Sequence, residues 1–383
     1  MPRKILFVNH TGQMGGAEVM LVTVAHHYRS DCHVVLFSDG PLRQKLLECG
    51  VSVSVLDSDK SMLTISRQGG WLDTLFSVPA VLRTAWSLAG VARHYDLLYP
   101  NSQKAAVITM LTGAFLRKPV IWYLHDILSA AHFSTLQRRV VVGLANYTTR
   151  WVLTNSQVSR NAFIASGGDE NRISVAPCGV DSAPFDTVTE TEVRNFRQEL
   201  GLEEVPVIGL FGRITPWKGQ HVLIEALTQL PDVHALIVGD SLFGEDVYKQ
   251  ELKELTTRLG LQDRIHWLGF RLDVPRLMRS VDIIVHCSTS PEPYGLVIVE
   301  AMLAKHIIIA ADDGASRELL GDDYPFLVTP GEPEILTNAI VQVRSCNTEE
   351  KECLVERNLQ RARTLFSPER MLSDIDRIVS QVG

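Results

Sequence analysis

The chain has 383 residues, 45% of them apolar and 21% charged, with a formal net charge of −7. That is the composition of a soluble globular protein, and the length suits two domains of ordinary size. No apolar run is long enough for a membrane-spanning helix, and no basic, aromatic-interleaved stretch suggests a nucleic-acid partner.

The opening MPRKILFVNH lacks the apolar core of a signal peptide and reads as a first buried strand. Six cysteines are scattered without a CxxC pair. Neither a zinc site nor a disulfide framework is expected, and a reducing cytoplasm is. The charge is asymmetric. Residues 1–180 hold 17 Lys and Arg against 11 Asp and Glu, whereas residues 181–383 hold 20 against 33. A basic first half beside an acidic second half suggests that the first faces an anionic surface or substrate.

In chain order, short apolar runs predict strands at 4–10, 33–38, 51–56, 96–100, 120–125 and 151–155. Amphipathic stretches between them predict helices at 17–29, 41–49, 72–94, 104–116, 134–147 and 157–166. This alternation is the βαβ signature of a buried parallel sheet. Residues 177–204 are polar, with two prolines and no strand, so a linker at 181–204, followed by a short helix, is predicted. A second series follows, with strands at 206–212, 234–239, 264–268, 282–287, 306–311 and 326–328. The domains are therefore expected at 1–180 and 205–366. An amphipathic helix at 367–383 is a candidate to pack back on the first. Open sheets of this kind bind ligands beyond the carboxyl ends of their strands.

Residues just after strands thus become candidates. Gly15 and Gly16 open a helix after the first strand. They suit close approach to a phosphate, a sugar or an acceptor, or equally a plain turn. The spacing is not GxGxxG, which argues against a dinucleotide site. His125 and Asp126 close the strongly apolar WYL strand. His125 could bond substrate hydroxyls; a capped strand end is the plainer alternative. Arg213 and Lys218 flank the loop after the first strand of the second half, and two cations beside a helix start describe a phosphate site. WLGFR, with Phe270 and Arg271, offers an aromatic and backbone for a flat base, or simply a strand end. In SPEPYGLVIVEAMLAK, Gly295 lets the amides of a helix start approach a phosphate. Pro291 and Pro293 restrict Glu292. Glu300 lies in an apolar run, where a carboxylate could accept both hydroxyls of a ribose; a surface glutamate is the alternative.

Taken together, these residues resemble the GT-B glycosyltransferases of family 4, which are retaining and nucleotide-sugar-dependent. The resemblance runs from GGAE at 15–18 through HD at 125–126, GRITPWKG at 212–219 and LGF at 268–270 to the E-x7-E of Glu292 and Glu300. It implies two Rossmann-like domains facing across a cleft. It further implies that Arg213 and Lys218 clamp the donor diphosphate, helped by Tyr294, Gly295 and Leu296 at the helix start. Glu300 would hold the ribose, Glu292 the transferred sugar, and His125 its hydroxyls. Phe270 and Arg271 would hold the base, and Gly15 and Gly16 would let the first domain close on the phosphates. Two positions depart from the family pattern: Lys305 stands where a glycine is usual, so a different turn is expected there, and Cys178 stands where an asparagine is usual.

The expected activity is transfer of a hexosyl group from a UDP-sugar, UDP-glucose or a related UDP-hexose, to a saccharide or lipid-linked saccharide. No metal or other cofactor is expected, since the cations and helix amides meet the diphosphate charge. For retention, the resemblance favours a front-face route over a covalent Glu292 adduct. A nucleotide-sugar epimerase or hydrolase, and a non-catalytic nucleotide-sugar binding protein, are the competing readings. A nicotinamide oxidoreductase ranks below them. The helix at 72–94, with Arg83, Arg93 and nearby Arg67, is expected to lie on an anionic membrane from the cytoplasmic side; a core helix with two exposed arginines is the alternative, and Pro79 argues against one long amphipathic helix.

Overall fold

The computed structural model describes residues 3–56, 71–129, 133–241 and 244–382, with backbone alone for 71–78. The chain divides into two compact units: Met1–Gly179 with Pro368–Gly383, and Val180–Ser367.

The first unit alternates β1 (Ile5–Asn9), α1 (Gly16–His27), β2 (Cys32–Leu36), α2 (Pro41–Glu48), β3 (Val53–Val55), α3 (Trp71–Ala92), β4 (Leu97–Pro100), α4 (Gln103–Leu116), β5 (Ile121–Leu124), α5 (Thr135–Thr148), β6 (Trp151–Thr154), α6 (Gln157–Ala165) and β7 (Ile173–Val175). The strands lie in the order β3-β2-β1-β4 and β5-β6-β7. A parallel bridge between Leu98 and Val120 joins the two sets. Every residue of β1, β4 and β5 is buried, which is why these runs are apolar throughout rather than alternating. Ser102 caps α4 by accepting a hydrogen bond from the Ala105 amide. Ser134 and Gln137 form a reciprocal capping box on α5. Helix α3 continues through Pro79 as one helix. Arg67 lies outside the described residues.

The second unit contains α7 (Ala183–Asp186), α8 (Glu190–Glu199), β8 (Val207–Phe211), α9 (Gln220–Ala226), β9 (His234–Val238), α10 (Asp246–Arg258), β10 (Ile265–Gly269), α11 (Val274–Arg279), β11 (Ile283–His286), α12 (Leu296–Leu303), β12 (Ile307–Ala311), α13 (Ser316–Leu320), β13 (Leu327–Val328), α14 (Pro333–Ser345) and α15 (Thr348–Leu365). Its sheet is parallel, in the order β10-β9-β8-β11-β12-β13. In each unit the order reverses beside the first strand, between β1 and β4 and between β8 and β11. That switch opens a crevice at the carboxyl ends of both strands.

Three differences from the sequence reading stand out. Residues 181–204, expected as a linker, form two helices and belong to the second unit. Thr189 and Glu192 make a capping box there that holds α8 in register. Strand β7 was not predicted: it has three residues, of which just Ile173 is buried, so it carries almost no apolar signal. The last helix, α16 (Pro368–Gln381), belongs to the first unit. It buries Met371, Ile375 and Ile378. Tyr28 and His27 both bond Asp376, and Arg3 Nη1 donates to the Val379 carbonyl at 2.8 Å.

Candidate active site

In the second unit the switch point is built from the loops after β8 and β11. After β8, Gly212 and Arg213 lead to a single 3₁₀ turn at Pro216–Lys218. β11 ends in His286, and Cys287 and Ser288 follow it, all three buried, then the loop that carries Glu292. The loops are stitched together: the Thr289 amide donates to the Trp217 carbonyl at 2.8 Å. Gly219 has φ 71, and a Cβ there would sit 2.0 Å from the Cys287 carbonyl oxygen, so glycine is required. Gly314, after β12, presses on the same loop from the other side. Its φ is 59, and a Cβ would stand 2.3 Å from the Glu292 carbonyl oxygen.

Between these loops the side chains converge on one atom. Glu292 Oε2 accepts from Lys218 Nζ at 2.6 Å, Ser288 Oγ at 2.9 Å and His286 Nε2 at 3.2 Å. All three bonds fall on the same oxygen, so Oε1 has no partner among the described residues. Burial opposes charge on Glu292, but the Lys218 charge and the His286 hydrogen bond outweigh it and hold the carboxyl well below its ordinary range. The group is an anchored carboxylate with one open oxygen.

Gly295, in the left-handed conformation, begins α12. The residues that follow are apolar except Glu300, which is half-buried and has no hydrogen-bond partner among the described residues. Burial pushes its carboxyl up to about 7, with Lys218 pulling the other way. A carboxyl so placed has both oxygens available to hydroxyl donors.

The structure alters the reading of three predicted residues. Arg213 Nε stands 3.6 Å from Glu245 Oε2, and Glu245 Oε1 accepts from Thr215 at 2.6 Å; this carboxylate beside the guanidinium was not singled out by sequence reading. Arg271 is fastened to Asp273 at 2.7 and 2.8 Å, and Arg276 shares the same carboxylate. Its charge is largely answered within the protein, so of that pair it is Phe270, two-thirds exposed, that is open. Tyr294 is turned inward, edge-on to Phe366 at 6.2 Å. Its ring therefore braces the loop, and what it can offer a ligand is backbone.

In the first unit the switch point holds a polar chain. His125 Nε2 meets Asn101 Oδ1 at 3.1 Å. The Asn101 amide donates to the Ala17 carbonyl at 3.0 Å, and Asn9 donates to Glu18 Oε1 at 3.1 Å. Because the Asn101 nitrogen donates, its oxygen must accept, and this fixes the proton of His125 on Nε2. Nδ1 is then an acceptor with no partner among the described residues. Burial pushes the His125 pKa down to about 3, so the ring is neutral. Burial also raises the pKa of Glu18. Gly15 and Gly16 are exposed at the start of α1, and Glu18 folds back to within 2.9 Å of where a Gly15 Cβ would lie.

Asn9, Asn101, His286 and Ser288 were missed by sequence reading. Each directly ends or follows a strand beside a switch point, so the rule that located His125 and Arg213 could have found them. Among the described residues, no cluster of three or more metal-ligating side chains occurs, and no helix is long and apolar enough to cross a membrane.

Two doubly wound parallel-sheet units, the second with cations, a helix start and paired glutamates at its switch point, define the class of GT-B glycosyltransferases. Comparison with known proteins gives the family. Residues 14–183 match the model described as Glycosyltransferase Family 4, and residues 192–360 match Glycosyl transferases group 1. The chain belongs to the family 4 glycosyltransferases. It is 38% identical to Anabaena HepE, whose structure was solved with UDP and glucose and with UDP-glucose. That superposition has a TM-score of 0.89 and covers 99% of this chain and 100% of HepE. The D-inositol 3-phosphate glycosyltransferase of Mycobacterium sp. (strain JLS) is 31% identical over 167 residues, 43% of this chain and 37% of its own. The lipopolysaccharide core biosynthesis glycosyltransferase LpsE of Rhizobium meliloti is 31% identical over 146 residues, 38% of this chain and 41% of its own. The matched stretches thus span about two-fifths of these curated relatives. Sucrose-phosphate synthase from Thermosynechococcus elongatus, 16% identical with a TM-score of 0.81, shares the fold.

Proposed function

We propose that this protein is a retaining hexosyltransferase that uses a UDP-sugar, UDP-glucose or a related UDP-hexose, with a saccharide or lipid-linked saccharide as acceptor. The observation that carries the reading is the Lys218–Glu292 pair, with Glu300 unpartnered further along the same segment. UDP-glucose bound to HepE supports the choice of donor.

The residues divide the donor among them. Glu300 accepts the two ribose hydroxyls. Lys218, Arg213 and the amides at Gly295 and Leu296 supply fixed positive potential where the leaving diphosphate gathers charge, and no metal is called for. Lys218 turns part of its charge to the diphosphate, while Ser288 and His286 keep Glu292 in place. Glu292 Oε1 meets a hydroxyl of the transferred sugar. His125, neutral, offers Nδ1 as an acceptor for a hydroxyl. Phe270 gives the base an apolar face. The departing phosphate oxygen takes the acceptor proton on the same face, which retains configuration without an enzyme nucleophile.

UDP release across a panel of UDP-sugars and acceptors tests this. Lys218→Ala and Glu292→Ala are each expected to lose on the order of 10²-fold in turnover. If both kept wild-type turnover, the site assignment would fail. Release of free hexose in place of a glycoside would indicate a hydrolase, and NMR of the product anomer decides retention.

A further inference from the structure

The first unit has an outer face that the donor chemistry does not use. Between residues 71 and 168 the sequence holds nine lysines and arginines but three acidic residues, Asp73, Asp96 and Asp126. Helices α3, α4 and α5, which pack side by side against the sheet, lie within this span.

Helices α3 and α5 each carry two stripes, whereas α4 exposes just Ala114 and Phe115 near its end. On α3, Ala80, Thr84, Ala85, Leu88 and Ala92 face the core. The opposite stripe exposes Leu82, Arg83, Trp86 and, past the helix end, Arg93. Trp86 is 70% exposed, and its ring lies 5.4 Å from that of Phe115 on α4, itself 63% exposed. On α5, Val141, Val142 and Ala145 are buried. The outer stripe exposes Leu136, Arg139, Val140 and Tyr147, with Arg150 just beyond, and Tyr147 is 94% exposed. No carboxylate among the described residues pairs with Arg139 or Arg150.

Single exposed apolar side chains are ordinary. Here six lie on three adjacent helices, interleaved with arginine on α3 and α5, and helices α4 and α5 contain no acidic residue. A second copy of this face would set arginines against arginines. Tryptophan, tyrosine and arginine beside aliphatic side chains match the boundary between lipid headgroups and acyl chains. Anionic headgroups complement the charge.

We propose that the exposed face of α3, α4 and α5 docks on an anionic lipid surface. The face extends beyond the 72–94 segment singled out in the sequence to include α5. The inference stands apart from the donor chemistry, because vesicle partition requires no turnover. The test is co-sedimentation of the full chain with phosphatidylcholine vesicles, with and without phosphatidylglycerol. Partition to the anionic vesicles alone, falling as salt rises, is expected. The double variant Arg139→Gln/Arg150→Gln should partition about 30-fold more weakly, at roughly 1 kcal/mol per cation. Trp86→Ala should weaken it at least about fivefold through lost apolar insertion. UDP binding, measured alongside, should stay at the wild-type level in all variants, showing that they fold. Equal partition to neutral vesicles, no partition to either, or wild-type partition of the double variant would overturn the proposal. So would a solution dimer that Trp86→Ala separates, or salt-sensitive binding of RNA in preference to vesicles.

Discussion

Glu292 and Glu300 share one segment but have opposite electrical surroundings. Glu292 is held as an anion by Lys218, and both side chains are mostly buried, at 10% and 15% exposure. Glu292→Gln would leave that ammonium unpaired. A loss of about 3 kcal/mol in unfolding free energy is expected, alongside the loss of turnover, and denaturant titration measures it. Glu300 has no such partner, and its carboxyl is raised from 4.5 to about 7. The folded state therefore binds the proton more tightly than the unfolded chain does. Its stabilising contribution is complete below about pH 4.5 and is lost as pH rises through about 7. Glu300→Gln removes this loss. Its melting temperature should exceed the wild type near pH 8 and match it near pH 5, while UDP binding weakens at least about tenfold through the missing charged acceptor. A variant that melts no higher than wild type at either pH would show that Glu300 is not held at a cost.

At the scale of elements, the end of α12 explains the residue that broke the family pattern. The Lys305 amide donates to the Met302 carbonyl at 3.2 Å and the His306 amide to the Ala301 carbonyl at 3.3 Å. These are the two bonds of a Schellman cap, and Lys305 occupies its left-handed position with φ 64. The lysine thus completes a turn that glycine ordinarily completes, and bears its strain. Lys305→Gly should therefore stabilise by about 1 kcal/mol, seen as a raised unfolding midpoint with unchanged turnover. Gly314→Ala should do the reverse. With a Cβ 2.3 Å from the Glu292 carbonyl oxygen, the loop must shift. A loss of at least about 2 kcal/mol is expected, with reduced turnover measured in the same preparation. Most elements were legible in the sequence because strands buried on both faces show as continuous apolar runs, IIIAA at Ile307–Ala311 being the plainest. The site was legible where a side chain's role follows from its place after a strand, as for Lys218 and His125. It was not legible where the partner is chosen by tertiary packing. Nothing near Tyr294 in sequence announces Phe366, and Arg213 gives no sign of Glu245.

At the scale of the whole molecule, α16 matters more to the first unit than its position in sequence suggests. It buries Met371, Ile375, Ile378 and Val379 there. At roughly 2 kcal/mol for each buried aliphatic side chain, that is about 8 kcal/mol, comparable to the net stability of a typical domain. Truncation after Ser367 should therefore unfold the first unit at a temperature well below the second. Calorimetry would show one transition lost or strongly lowered and the other kept, and a single unchanged transition would contradict this.

The same helix sets an order of events during synthesis. The first unit comprises residues up to 179 together with residues from 368 onward, and the whole of the second is translated between them. A ribosome that has just added Ser367 has already produced every residue of the second unit, while the first still lacks the segment that covers Tyr28 and Arg3. The part of the chain made first is thus the last able to finish folding, and throughout elongation its uncovered apolar surface would be a natural client for a chaperone.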